Sequence, residues 1–350
     1  MVISKTESDT IDVLKSIGIL FVVIGHLPVN YINITYPYLF HMPLFFFIGG
    51  ITIKNDSIIK SIIKISKTLI PYAVITYVLI GFFSYAINNL YGIDLGNPFT
   101  GGVVSTIKNA FLSNFHNNPL FLVCWFLVAY YISYIITVIV AKISSFVNNN
   151  VIRVVLILIV GCSLGAISVD FLSAQYAESK NQIYNVLSQS TYASMFMLIG
   201  YSVGIQLIRK VGIVVSVISF SIVSWMVMAS IVKPPVLSWS QYESGFIYTS
   251  ITAFLCIFFY IHLSKCVASN GENKLTKFIG RNTRAIMSYH LAVFVIIDIV
   301  FYQLGLWDIK NTSVFNHFVS GGYGVFYVVL AMVIPAYLSV VKNKVKDIYK

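Results

Sequence analysis

Apolar residues in this chain come in long, nearly unbroken runs rather than in short stripes with a helical or strand period. Runs of about 18 or more apolar residues are typical of membrane-spanning helices. The pattern predicts ten such segments: 11–29, 36–53, 69–90, 118–140, 151–169, 189–208, 211–232, 244–264, 283–305 and 321–341. We therefore expect an all-α, polytopic integral membrane bundle of about ten transmembrane helices, with residues 1–350 forming one domain.

Composition supports the membrane assignment. Hydrophobic residues make up 58% of the chain, charged residues only 10%, and the mean hydropathy is +0.85. Soluble globular proteins carry about 25% charged residues, so this chain lacks the charge to cover a soluble surface. The four cysteines show neither metal nor disulfide spacing and are interpreted as small apolar residues. No metal site is predicted.

The distribution of basic residues predicts the topology. If the amino terminus is cytoplasmic, all but four of the 23 lysines and arginines fall at or near the cytoplasmic side. The exceptions are Lys108, Lys180, Lys233 and Lys310. Membrane proteins show this bias, so both termini are predicted to be cytoplasmic. The net charge of +11 is then explained by topology and anionic lipid rather than by a nucleic-acid partner.

The first apolar segment carries three ionisable residues. Lys15 and His26 are eleven positions apart, which places them on nearly the same helix face at a rise of about 16 Å. Asp12 lies close to that face. Ionisable residues within a span cost roughly 2.5–3.5 kcal/mol each on insertion, so they usually face a functional cavity. The alternative is an interfacial Asp12–Lys15 pair with His26 at the headgroup level.

Two further features could take part in chemistry. His41 opens the second segment, and two imidazoles near one mouth would suit proton transfer from a hydroxyl. It could equally be an interfacial residue without a chemical role. Lys60, Lys64 and Lys67 lie on one face of a predicted amphipathic cytoplasmic helix. That face could bind phosphates or lie on anionic lipid.

Several motifs resemble the membrane-bound acyltransferase-3 family, in particular its fucose 4-O-acetylase-like and O-antigen O-acetyltransferase members. They are the D-x-x-K start, the Lys-x10-His spacing and the Gly-His end of the first segment, together with "FHMPLFFF". The segments around Trp125-Phe126-Leu127 and "FIGRNTRAIMSYHLAVF", with adjacent Tyr289 and His290, also resemble the family. One departure is Lys64-x-x-Lys67, which stands where the family often has Arg-x-x-Arg and so lacks the bidentate guanidinium fork.

The resemblance implies O-acylation in the bacterial cytoplasmic (inner) membrane, with acetyl-CoA as donor and a cell-surface or lipid-linked saccharide as acceptor. Lys15, Lys64 and Lys67 would hold the CoA phosphates, since charge-assisted hydrogen bonds to phosphate are strong. His26 would accept the proton of the sugar hydroxyl, and His41 would position the acceptor or act as a second acid or base. Direct transfer and a route through an acyl-histidine are both possible.

One acid and four further histidines are also candidates. His290 is expected about two turns from the cytoplasmic end of the ninth segment, with its role left open. Asp298 lies deeper in the same segment and could orient a histidine or pair with a lysine. His116, His262 and His317 have no motif around them, which favours loop or packing roles.

Two other classes of membrane protein compete with the enzyme. A transporter or flippase of lipid-linked oligosaccharide would also have many helices and a few intramembrane charges, but transporters often contain inverted repeats. Segments one to five show no obvious similarity to segments six to ten. A polysaccharide polymerase would be expected to have a large outer loop rich in acids or arginines. The longest outer loop here, 89–117, contains only Asp94 and Lys108 as charged residues.

Overall fold

A computed structural model describes residues 3–27, 37–54, 56–270 and 274–348 of the chain. Within these ranges the protein is built of helices, and the one β-contact is an isolated bridge between Val236 and Gln241. Contacts divide the chain into two compact units. The first unit comprises Met1–Leu14, Ile34–Pro71 and Trp125–Asn273, and the second comprises Lys15–Asn33, Tyr72–Cys124 and Lys274–Lys350.

Within the described residues, every predicted apolar segment coincides with a helix; residues 28, 29 and 36 of the first two segments lie outside that part. Seven helical stretches in the described part are long and apolar enough to cross a membrane. They are α3 (Ile58–Tyr91), α5 (Cys124–Ser144) with the 3-10 turn Pro119–Phe121 before it, α6 (Asn150–Ala166) continued by a π turn (Ile167–Leu172) and α7 (Ser173–Ser179), α8 (Gln182–Lys210), α10 (Gly245–Ser269), α12 (Thr283–Gln303) and α13 (Gly324–Ile348). The other three segments form α1 (Lys5–Gly25) and the shorter apolar helices α2 (His41–Ile51) and α9 (Ile213–Met228). The all-α, polytopic membrane fold is therefore confirmed.

Helix α3 is longer than the sequence pattern indicated. The amphipathic segment with Lys64 and Lys67 was predicted as a helix separate from the third span, but both belong to one helix of 34 residues. Pro71 lies inside that helix. A proline removes one backbone donor, and membrane helices tolerate this because neighbouring groups bond the freed carbonyl. Two further helices, α4 (Gly102–Leu112) and α11 (Lys274–Arg281), lie outside the ten predicted segments.

In the first unit, α2 and α8 pack backbone against backbone. A Cβ atom added at Gly50 would lie 1.9 Å from the Met197 carbonyl oxygen, and one added at Gly200 would lie 2.0 Å from the Phe47 carbonyl oxygen. Only glycine permits helices to approach this closely, as is common in membrane bundles.

In the second unit, α12 packs against α13 and against the 3-10 turn before α5. Its first two turns are also held by Tyr72 of α3. The Tyr72 hydroxyl lies 2.8 Å from Ser288 Oγ and 3.0 Å from the Arg284 carbonyl oxygen. The Arg284 guanidinium lies 4.3 Å from the centre of the Tyr72 ring, within cation–π range. These contacts orient the segment of α12 that carries His290.

Candidate active site

The imidazole of His26 lies immediately after the last residue of α1 and is buried. Its Nδ1 atom is 2.7 Å from the Val22 carbonyl oxygen, one helical turn back. A carbonyl oxygen only accepts hydrogen bonds, so Nδ1 must carry the proton. In the neutral ring the lone pair is then on Nε2, and this nitrogen is the one that can accept a proton.

His290 has the same arrangement in the second turn of α12. Its Nδ1 atom lies 2.9 Å from the Met287 carbonyl oxygen and 3.1 Å from that of Ile286, and the side chain is buried. The Nε2 atom is buried without a hydrogen-bond partner. Buried polar atoms are rarely left unsatisfied, because desolvation costs about 1–3 kcal/mol. An orphaned basic nitrogen is therefore a feature that calls for a functional explanation.

The two imidazoles meet inside the second unit. Their ring centres are 4.9 Å apart and their planes cross at 66°, an edge-on contact. Each ring presents a basic Nε2 because each Nδ1 proton is held by its own helix. Two neutral, basic imidazoles in contact suit the removal and return of a proton during a reaction.

A second ionisable group in the same unit centres on Asp298. His317 Nδ1 lies 2.7 Å from Asp298 Oδ2, and both side chains are fully buried. The other carboxylate oxygen accepts hydrogen bonds from the Tyr327 hydroxyl at 2.6 Å and from the Phe318 backbone N–H at 3.2 Å. Of the two partners considered for Asp298, a histidine and a lysine, the structure shows the histidine. His317 lies in a loop, as expected, but the sequence had no signal for this pairing.

Aromatic rings lie between the His26–His290 pair and the Asp298–His317 pair. Phe294 of α12 makes edge-on contacts with His290 at 5.9 Å and with His317 at 5.0 Å between ring centres. Phe315, in the loop before α13, stacks on His26 with ring centres 5.9 Å apart and planes only 13° from parallel. The Phe315 side chain is nevertheless 52% exposed. His26 thus contacts both the early turns of α12 and the loop that follows this helix.

The three lysines predicted to bind CoA phosphates belong to different units. Lys15 is partly buried on α1 and belongs to the same unit as His26, with a helical rise of about 16 Å between them. Lys64 and Lys67 belong to the first unit and are exposed on α3. Their joint binding of CoA phosphates with Lys15 stays a prediction.

His41 also belongs to the first unit, where it begins α2. It is buried, its Nδ1 is hydrogen-bonded to the Pro37 carbonyl, and Tyr38 contacts the ring edge-on at 5.3 Å. Its approach to His26 stays a prediction. Among the described residues, no three His, Cys, Asp or Glu side chains are arranged to hold a metal ion.

An ion pair near the start of the chain lowers the pKa of the Glu7 carboxyl group. Arg209, near the end of α8, donates from Nε to Glu7 Oε1 at 2.5 Å. This hydrogen bond is the main reason that the pKa of Glu7 is lowered to about 2. The Ser4 backbone N–H also donates to Glu7, at 2.7 Å. The first turn of α1 is thereby attached to α8 within the first unit.

The family model of an acyltransferase domain matches residues 8–340, almost the entire chain. The chain belongs to the acyltransferase-3 family. No curated protein and no solved structure matches it at a significant level. The family resemblance inferred from the motifs is confirmed, and membrane acyl transfer is the activity that this membership supports.

The site agrees with that activity, because His26 is the histidine of the Lys-x10-His motif and lies against His290. His290 is the functional candidate whose role the sequence left open. The signals that pointed to it were its position in an apolar helix and the family-like segment around Tyr289-His290.

Proposed function

We propose that this acyltransferase moves an acetyl group from acetyl-CoA to a hydroxyl of a cell-surface or lipid-linked saccharide in the bacterial cytoplasmic membrane. The observation that carries the proposal is the contact of His26 with His290, whose Nε2 atom is buried and unpartnered. Such a pair can accept and return a proton, which suits acyl transfer to a hydroxyl.

The proton is proposed to follow a closed path. His26 Nε2 accepts the proton of the acceptor hydroxyl while the oxygen attacks the thioester carbonyl carbon. The carbon–sulfur bond then breaks, and the imidazolium returns the proton to the leaving thiolate. Acetyl ester and free CoA thiol are the products, and the enzyme is restored. His290, in edge contact with His26, would stabilise the imidazolium while it exists.

Three lysines and His41 complete the proposed site. Lys15, Lys64 and Lys67 would bind the phosphates of acetyl-CoA from the cytoplasmic side, as point charges rather than bidentate forks. The pantetheine arm would then enter between helices toward His26. His41 would position the acceptor or act as a further acid or base. A direct transfer and an acyl-histidine intermediate lead to the same products, and radiolabel retained on the protein in the absence of acceptor would identify the intermediate.

A saccharide acceptor agrees with the aromatic surface beside His26. Phe315 covers one face of the imidazole and is half exposed. Apolar faces of sugar rings pack on aromatic side chains, and an acceptor resting there would have hydroxyls close to His26. Membrane lipid is the remaining expected partner, and no nucleic-acid partner is proposed.

The test compares three histidine variants in lipid nanodiscs with labelled acetyl-CoA and saccharide acceptors. We expect His26→Ala to lose acetyl transfer by about 100-fold or more, the usual contribution of a general base. His290→Ala should also reduce transfer strongly. His262→Ala, on α10 beside Cys266, is the matched control and should retain activity. Equal membrane abundance of all variants is required for the comparison.

The cellular test measures surface glycan mass with and without the protein. An acetyl-sized mass difference supports the proposal. Unchanged glycan mass with lost export would support a flippase instead. Full transfer activity in His26→Ala would show that the assignment of the base is wrong.

A further inference from the structure

The loop between α12 and α13 is tied to one buried carboxylate. Asp298 receives hydrogen bonds from His317 Nδ1 and from the Phe318 backbone N–H, and both donors are loop residues. The Tyr327 hydroxyl of α13 donates to the same carboxylate at 2.6 Å. Asp298, which lies on α12, therefore connects the loop and α13 to that helix.

The same network sets the backbone next to Phe315. His317 Nε2 lies 3.2 Å from the Val314 carbonyl oxygen, so the imidazole links the residue before Phe315 to Asp298. Phe315 thus lies in a short segment bounded by Val314 and His317, and the His317 imidazole contacts both the Val314 carbonyl and Asp298.

The position of Phe315 has a chemical consequence at His26. Its ring is stacked almost parallel on the His26 imidazole, although over half of the side chain remains exposed. An exposed phenylalanine has little hydrophobic reason of its own to stay in one place, so the anchored backbone on either side determines where it lies. The ring covers one face of the His26 imidazole.

We propose that Asp298, His317 and Tyr327 are positioning residues that hold Phe315 over His26 and so keep water from the reactive imidazole. This inference rests on the proposed function, because excluding water matters only if an acetyl-CoA thioester is bound beside His26. Where water reaches the site, its oxygen attacks the thioester carbonyl, the carbon–sulfur bond breaks, and acetate and CoA thiol are released. Phe315 thereby favours transfer to the acceptor over wasteful hydrolysis.

The first measurement does not depend on acyl transfer. Diethyl pyrocarbonate reacts with the basic nitrogen of a neutral imidazole, and mass spectrometry reports its addition at each histidine. We expect Phe315→Ala to increase the modification rate of His26 several-fold and Phe315→Tyr to leave it as in the parent. The matched control is Phe326→Ala, which removes an equally exposed ring from α13.

The anchor is tested with Tyr327→Phe, which removes one hydrogen bond from Asp298 and keeps the ring, and with Asp298→Asn. Each should increase the modification of His26, and neither should add to the effect of Phe315→Ala in a double variant, because all act through one ring. Asp308→Asn, at an exposed acid of the same loop, is the control for Asp298→Asn. If Asp298→Asn does not fold, Tyr327→Phe alone tests whether the hydrogen bonds to Asp298 hold Phe315 over His26.

The second measurement is the ratio of acetyl-CoA hydrolysis to acetyl transfer. We expect this ratio to rise several-fold in Phe315→Ala and Tyr327→Phe and to stay constant in the two controls. Unchanged labelling of His26 in Phe315→Ala, or effects of Phe315 and Tyr327 that simply add, would overturn the inference. Absence of acyl transfer in the parent protein would instead contradict the proposed function, while the labelling would still report on Phe315.

Discussion

The contact between α2 and α8 leads to a quantitative prediction for Gly200→Ala. The new Cβ would lie 2.0 Å from the Phe47 carbonyl oxygen, whereas ordinary contact begins near 3.4 Å, so the helices must separate by the difference, about 1.4 Å. The obstructing atom is backbone and cannot rotate away. Overpacking of this kind costs about 1–3 kcal/mol, and the better helix propensity of alanine returns roughly 1 kcal/mol.

We therefore expect Gly200→Ala to lower the free energy of unfolding by up to about 2 kcal/mol after the propensity gain. Gly161→Ala is the matched control on α6, because its new Cβ would have no neighbour closer than 3.6 Å. That variant should be neutral or slightly stabilised. Adding Gly50→Ala to Gly200→Ala should cost less than the sum of the two, since one helix displacement relieves both clashes.

The assay is thermal unfolding of the detergent-solubilised protein, followed by the fraction that remains monodisperse on size exclusion. The order expected for the midpoint is Gly161→Ala at or above the parent, with Gly200→Ala well below both. A Gly200→Ala variant as stable as Gly161→Ala would refute the reasoning, because the backbone contact would then not limit the approach of the two helices.

Three further predictions concern charged groups. Removing Asp298 takes the acceptor from three buried donors and should cost about 3–5 kcal/mol, whereas removing His317 leaves Asp298 with two donors and should cost less. Replacing both with leucine should cost less than the two single changes together, as thermal unfolding will show. Glu7→Gln should destabilise the protein at neutral pH. Because the pKa of Glu7 is about 2 in the fold against an ordinary 4.5, that difference should be complete above pH 4.5 and disappear as the pH falls toward 2. Lys64→Ala and Lys67→Ala should raise the KM for acetyl-CoA with little change in kcat, since these exposed cations would contact only the phosphates, which are far from the thioester. An unchanged KM would favour the lipid-binding alternative.

Part of the candidate site could be predicted because its signals are local. Lys15 and His26 belong to one apolar segment, and the helical rise over eleven residues gives their separation along it before any tertiary contact is known. His290 could be recognised as unusual for the same reason, since an imidazole stands out in an apolar helix. The motifs around both histidines were also sufficient to identify the family.

The contacts of these residues could not be predicted in the same way. Nothing in the periodicity of α1 or α12 says that His26 and His290 touch, because each pattern specifies which face is polar but not which helix it meets. The partner of Asp298 was missed because His317 lies in a loop, and loop residues have no period that reveals their direction. The backbone contact of α2 with α8 at Gly50 and Gly200 likewise depends on two distant segments fitting each other.

By itself the sequence determined the membrane character, the ten apolar segments that form helices, and the family with its Lys-x10-His helix. These follow from the free energy of placing each residue in hydrocarbon and from hydrogen bonds within single helices, which are properties of neighbouring residues. Only the tertiary structure decided that two imidazoles meet, that a buried carboxylate holds the loop after α12, and that Phe315 covers His26. Those contacts depend on packing between segments far apart in the chain, where shape and the pairing of buried polar groups select one arrangement.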